Sequence, residues 1–217
     1  MSTVIRSDLL GTLLAGGQSR RYGSNKAFAR VGGEDLARRA ARTLEAVTGR
    51  VVLVANDRDL FGGMGLELRP DRVPGLGALG GIGTAVAWAR EEGRRGALVL
   101  ACDMPLVPPA LLAELACRLR PDGAVVPASD GPRGLEPLCA AYGAECLGAI
   151  DRALDRGDRA IVSFFPDVRV EILDAATVCG FGDPDTMFFN VNRPEDRLRA
   201  EELLAGRSPD APPREDG

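Results

Sequence analysis

From Leu14 to Lys26 the chain reads LAGGQSRRYGSNK. Gly16 and Gly17 let the backbone approach an anion and turn its N–H groups toward it, while Arg20, Arg21 and Lys26 add positive charge around the same place. That composition suits a polyphosphate. It is not a Walker A loop, because Lys26 follows Gly23, Ser24 and Asn25 and precedes Ala27. Of the 27 basic residues Lys26 is the only lysine. A solitary lysine among arginines points to a site where a compact ammonium fits and a planar guanidinium does not. There it would contact a triphosphate and offset charge growing on a leaving pyrophosphate. The plainer alternative is a strand-to-helix turn with solvated arginines.

A second constellation is ALVLACDMPLVPP, from Ala97 to Pro109. Asp103 follows an apolar run, at the end of a strand where open α/β sheets bind ligands. A carboxylate there can hold Mg²⁺ against nucleotide phosphates, with Pro105 stiffening the turn. The alternative, a cap for the next helix, is opposed by the four residues between Asp103 and Pro108. Farther on, Glu136 opens the apolar stretch LEPLCAAY, and FFNVNRPED carries Asn190 and Asn192 two residues apart, on one side of an expected strand. Paired amides suit a heterocycle or a metal shell. For Asn192 a helix N-cap is the competing role.

Gly75 to Gly80 matches G-x-G-x-x-G, with Asp103 at a distance that suits a dinucleotide fingerprint. The preceding segment, Leu66 to Pro74, opposes that reading. It holds two prolines and several charges, and so does not read as the buried central strand the fingerprint needs. Gly77 and its neighbours instead open a helix where a base and ribose can lie against bare backbone.

These residues need a scaffold. Leu9–Leu14, Val51–Val54 and Ala97–Ala101 are apolar on both faces, as strands of a covered parallel sheet are. Leu36, Ala40, Leu44 and Val47 recur at helical spacing, a second helix runs from Leu79 to Glu92, and a third starts after Pro108 and Pro109. The βαβαβ order predicts an α/β fold, a mostly parallel, Rossmann-like sheet between helices in a three-layer α/β/α sandwich. Further strands are expected at Ala124–Pro127, Leu135–Tyr142, Val168–Leu173 and Met187–Val191, with some antiparallel pairing in this half. Helices are expected at Ala144–Asp155 and Pro194–Ala205.

The chain has 217 residues, 45% of them apolar and 27% charged. That predicts one core, hence a single domain over residues 1–205 followed by a disordered, proline-rich tail at 206–217. With no histidine at all, serine-triad, thiol–histidine and zinc-hydrolase chemistries lose a required part. The five cysteines are scattered and form no C-x-x-C knuckle, which opposes structural zinc. A net charge of −4 without a basic stripe opposes nucleic acid as partner. Leu9–Ala15 is interrupted by Gly11 and Thr12 and reads as a buried strand, not a secretory segment. No apolar run approaches the ~20 residues of a membrane span. A cytoplasmic protein with no membrane partner is expected.

Taken in order, LAGG-x-S-x-R-x-G-x-x-K, an Asp before a Gly-rich stretch, C-D-x-P, E-P-L-C-A-x-Y and F-x-N-x-N-x-P-E-D resemble molybdenum cofactor guanylyltransferase over nearly the whole chain except its tail. The first and third motifs are shared with many sugar-nucleotide and cofactor nucleotidyltransferases, and the last two narrow the choice. The resemblance implies a GT-A-like nucleotidyltransferase fold and transfer of GMP from GTP to the phosphate of molybdopterin, with or without molybdenum. By the same resemblance Leu14, Ala15, Gly16 and Gly17 line the nucleotide site and Lys26 binds the triphosphate. Asn56 and Asp71 match family positions that contact the nucleotide, where Gly77 is expected too from the residues alone, and Asp103 ligates Mg²⁺. Asn190 and Asn192 then face the pterin phosphate or the metal; from the residues themselves, Glu136 is expected at the acceptor and Arg20 or Arg21 joins Lys26 on the departing pyrophosphate. LAGG in place of LAAG favours GTP over CTP. Tyr22, Ala78 and Arg193 depart from the family's usual methionine, proline and threonine; Ala78 lies in the loop near the base. Transient contact with cofactor-biosynthesis or acceptor proteins is a further expectation. Two alternatives stay open: a related nucleotidyltransferase using CTP or another phosphorylated acceptor, and a non-catalytic nucleotide-binding module.

Overall fold

The computed structural model describes residues 5–15, 26–129 and 134–206. In chain order the regular elements begin with β1 (Leu9–Leu14), β2 (Arg30–Val31), β3 (Glu34–Asp35), α1 (Leu36–Glu45), β4 (Val51–Val54), α2 (Arg58–Phe61) and β5 (Glu67–Arg69). They continue with α3 (Gly77–Glu91), β6 (Gly96–Ala101), α4 (Pro109–Arg118), β7 (Gly123–Pro127), β8 (Cys139–Gly143) and α5 (Leu147–Asp155). The last are β9 (Arg169–Leu173), α6 (Ala175–Cys179), α7 (Pro184–Met187) and α8 (Pro194–Ala205).

Seven strands form one sheet in the order β5-β4-β1-β6-β8-β7-β9. The first four run parallel, β8 is antiparallel to both its neighbours, and β9 returns parallel to β7. The antiparallel pairing of the second half is therefore carried by β8. β2 and β3 make a separate antiparallel ribbon just after Lys26.

Alternation along the strands sorts side chains into two cores. Leu9, Leu13, Leu53, Leu98, Leu100 and Val125 pack with the buried faces of α1 and α4. Leu10, Leu14, Val52, Val54, Val99 and Val126 pack with α3 and α5 on the opposite side. Because both faces are covered, β1 and β6 are buried at every position. Helices on both sides of the sheet complete the three expected layers. Among the described residues, no helix is long and apolar enough to cross a membrane.

Three local expectations are corrected. Met187–Val191 is not a strand: Asp183 caps α7 through the Thr186 N–H, and Pro184 supplies its first-turn φ, so Met187 ends a helix. Leu135–Tyr142 is a strand only from Cys139, because Pro137 has no N–H to give a ladder; Leu135 makes an isolated bridge to Ala128. Helix Ala144–Asp155 starts as a 3₁₀ turn, Ala144–Cys146, before α5. The charged, proline-containing stretch after Leu66 forms the short edge strand β5, where Pro70 follows its end. The expected tail lies outside the described residues from position 207 onward.

Candidate functional site

In the parallel half of the sheet the carboxyl ends of β5, β4, β1 and β6 lie side by side. Backbone bonds hold them there: Ala15 N–H donates to Val54, Ala55 to Arg69 and Cys102 to Leu14, at 3.0–3.1 Å. Leu14 and Ala15 thus close β1, Asn56 follows β4, Asp71 follows β5, and Asp103 follows β6. Of the residues singled out from sequence, these five gather at this rim, as the strand order of an open α/β sheet dictates.

Lys26 begins a 3₁₀ turn, Lys26–Phe28, just before the β2–β3 ribbon. Its Nζ lies 2.6 Å from Asp103 Oδ2, and it donates to Asn192 Oδ1 at 2.9 Å. Lys26 and Asp103 come from positions 77 residues apart, and their side chains are only 19% and 15% exposed. So shielded an ion pair loses little to solvent screening and is electrostatically stronger than a surface pair. Asp103 Oδ1 is buried with no hydrogen-bond partner among the described residues. A buried carboxylate oxygen left so is costly unless a cation or donor satisfies it. No group of three or more metal-ligating side chains occurs among the described residues. A carboxylate oxygen so placed is of the type that can ligate a hard divalent cation. Asp103 does not cap the next helix, whose N-cap is Pro108.

Asn56 and Asp71 clamp each other. Asn56 Nδ2 donates to Asp71 Oδ2 at 2.8 Å, and Asp71 N–H donates to Asn56 Oδ1 at 2.9 Å. The next residue is fixed too, since Arg72 N–H donates to Thr84 Oγ1 at 3.0 Å, and that hydroxyl donates to Gly80 of α3. Asp71 Oδ1 is left facing α3 at Gly81, where an added Cβ would stand 3.7 Å from it and 3.6 Å from Leu14 Cδ2. Leu14, Asp71 and bare helix backbone thus share one surface. Gly77 opens α3 at a φ of +65°, a conformation that favours glycine, and open space surrounds it.

Glu136 sits in the loop before β8, not in a strand. Burial, the larger cause, pushes its carboxyl up to about 7; the Leu138 N–H opposes the rise and the charge of Asp103 adds to it. Glu136 therefore senses the Asp103 charge. The two asparagines do not act as a pair. The segment that carries them is not a strand, so the two-residue spacing sets no common face. Asn190 Nδ2 turns back to Phe188 C=O at 2.9 Å, whereas Asn192 reaches Lys26. Nor is Asn192 a cap, since the N-cap of α8 is Arg193. Gly16, Gly17, Arg20 and Arg21 lie outside the described residues.

Sequence reasoning passed over Asp196, the third residue of α8, whose Oδ2 accepts the N–H groups of Asn192 and Arg193 at 2.8 and 2.7 Å. Its signal was an acidic residue at the third position of a helix opened by Pro194, the place from which a side chain reaches back to the preceding backbone.

An open sheet with helices on both faces thus carries an ammonium–carboxylate pair at its strand ends, where such sheets bind ligands. A solved structure of molybdopterin-guanine dinucleotide biosynthesis protein A from Archaeoglobus fulgidus superposes with a TM-score of 0.73 at 26% identity, covering 91% of this chain and 99% of that one. A nucleotidyl transferase from Methanothermobacter thermautotroptrophicus shares the fold at a TM-score of 0.68 and 19% identity, with 91% of this chain and 98% of the other covered. The chain belongs to the MobA-like NTP transferase family, whose domain model matches residues 11–170. Its relatives include a probable molybdenum cofactor guanylyltransferase of Pelotomaculum thermopropionicum, 34% identical over 91% of this chain and 96% of the relative. Another, of Opitutus terrae, is 38% identical over 89% and 95%.

Proposed function

We propose that this chain transfers GMP from GTP to the phosphate of molybdopterin, with or without molybdenum, forming molybdopterin guanine dinucleotide and releasing pyrophosphate. The observation that carries the reading is the shielded Lys26–Asp103 pair at the carboxyl end of β6, with one Asp103 oxygen that has no hydrogen-bond partner among the described residues. The names of the relatives, molybdenum cofactor guanylyltransferases matched along nearly their whole length, support GTP as donor and molybdopterin as acceptor.

In the proposed reaction an oxygen of the acceptor phosphate attacks the α-phosphorus of GTP. The new P–O bond forms as the bond to the β-phosphate oxygen breaks, and the electron pair leaves with pyrophosphate. A phosphate nucleophile is already ionised at neutral pH, so the step needs no general base, consistent with a chain without histidine. Lys26 supplies a preorganised positive charge where charge grows on the leaving group, and Arg20 or Arg21 joins it. Asp103 would hold Mg²⁺, which when bound supplies positive charge that offsets the phosphates. Asp71, held by Asn56 beside Leu14 and Gly81, supplies a carboxylate that can accept N–H groups of a base. Glu136 lies on the acceptor side. With a nucleoside triphosphate as donor, the proposed setting is the cytoplasm.

The test compares pyrophosphate release from GTP, CTP, ATP and UTP in the presence of molybdopterin and Mg²⁺. Release with GTP that depends on molybdopterin and is lost in Asp103→Ala is the expected result. Equal release with CTP would overturn the assignment of GTP. Nucleotide binding that survives Asp103→Ala, with no release from any nucleotide, would make the chain a binding module.

A further inference from the structure

The segment from Phe188 to Arg193 belongs to no helix or strand, so no ladder fixes the direction of Asn192. Its side chain is exposed, and an exposed amide ordinarily samples several rotamers. Here its backbone is tied on both sides. On one side Val191 N–H donates to the carbonyl of Asp103 at 2.9 Å. On the other, Asp196 Oδ2 accepts both the Asn192 and the Arg193 N–H, and Asp196 N–H closes the turn on Arg193 C=O at 3.1 Å. One anionic oxygen taking two backbone donors is a strong, charge-assisted clamp. The helix that bears it is itself docked, because Ala200 and Leu204 of α8 pack with Val31, Leu36 and Val191 against the β2–β3 ribbon.

We infer that Asp196 is a positioning residue for nucleotidyl transfer: it sets Asn192 so that the amide oxygen, together with Asp103, aims the Lys26 ammonium at the triphosphate. The inference rests on the function proposed above. Lysine has three N–H donors, and among the described residues Asp103 and Asn192 take two of them. With both acceptors fixed, the direction of the third is set as well, toward a phosphate oxygen. Without Asp196 the Asn192 amide loses its register, and Lys26 keeps Asp103 but gains freedom to swing about it. Such loss of orientation slows the chemical step more than it weakens binding of the substrate.

The experiment is a double-mutant cycle with Asn192→Ala, Asp196→Ala and both together, accompanied by Asp196→Asn, read as kcat and KM for GTP with molybdopterin and Mg²⁺. Asp196→Ala should lower kcat about tenfold with KM for GTP changed less than about threefold. Asp196→Asn, whose amide oxygen still accepts both N–H groups, should return kcat to within about threefold of the unaltered chain. The double variant should fall no more than about twofold below Asn192→Ala, because Asp196 acts through Asn192. Additive losses in the cycle would overturn the inference and leave Asp196 as a helix cap only, as would unaltered kcat in Asp196→Ala. If the unaltered chain releases no pyrophosphate, the functional reading falls instead. The same cycle is then read as affinity for inorganic pyrophosphate, where coupling upholds only that Asp196 sets Asn192 beside Lys26 and additivity overturns that as well.

Discussion

The Lys26 ammonium meets Asp103 at 2.6 Å and Asn192 at 2.9 Å, a pair of contacts suited to a compact donor. A guanidinium in its place would carry its donors on a longer, planar fork. Lys26→Ala is expected to lower turnover about 100-fold or more, and Lys26→Arg about tenfold, with both variants folded; steady-state pyrophosphate release measures this. Full activity in the arginine variant would make the lysine incidental. Glu136 gives a prediction in stability instead. Its carboxyl is raised from 4.5 to about 7 in the folded chain, so the native state keeps a proton that the unfolded chain releases. That contribution is therefore neutral below 4.5, turns against folding as pH rises from 4.5 to about 7, and levels off above. Glu136→Gln should flatten this part of the pH profile of urea unfolding without ligand, a change on the order of 2 kcal/mol after allowance for partial exposure. An unchanged slope in the variant would show that Glu136 does not hold the proton.

At the scale of the element, what the sequence made legible was whatever a run of a single type encodes. β1, β4, β6 and the helices that cover them follow from unbroken apolar strands and from Leu36, Ala40 and Leu44 at helical spacing, since both faces of the sheet are buried. Met187–Val191 misled because its apolar residues have no fixed period, and Asp183 and Pro184, which start a helix there, act through backbone geometry. The β2–β3 ribbon is two residues per strand, too short for periodicity to register. The pairing of β6 with β8 yields the test at this scale. Gly96 stands opposite Gly143, and a Cβ on Gly96 would run into the carbonyl oxygen of Tyr142 and come within 2.9 Å of the Gly143 Cα, both backbone atoms that cannot step aside. Gly96→Ala should cost about 1–3 kcal/mol by chemical denaturation. Gly62→Ala, with nothing within 4 Å of the added atom, should be nearly neutral or slightly stabilising. Equal stabilities in the two variants would mean that β8 does not pair with β6 in this register.

For the molecule as a whole, the site is assembled from residues that the sequence separates widely and the strand order brings to one rim: Leu14, Lys26, Asn56, Asp71, Asp103 and Asn192. Residue type announced the charged members, because a lone lysine and a strand-end aspartate are legible one at a time. How they join was not legible. The bond of Lys26 to Asn192 spans 166 positions and depends on a turn held by Asp196, which no spacing rule links to Lys26. The topology also separates the proposed donor and acceptor residues, with the clamp of Asn56 on Asp71 set among the parallel strands and Glu136 beside the antiparallel strand β8. A donor nucleotide over the parallel half and an acceptor over the antiparallel half would meet at Asp103, between them. The measurement that bears most directly on this follows the phosphates themselves, using GTP labelled at either the α- or the γ-phosphate, with Mg²⁺ and molybdopterin. The α-label should appear in a guanine dinucleotide of molybdopterin and the γ-label in pyrophosphate, both lost in Lys26→Ala. Label released as orthophosphate with GDP, or an α-label that never joins the acceptor, would contradict nucleotidyl transfer at this site.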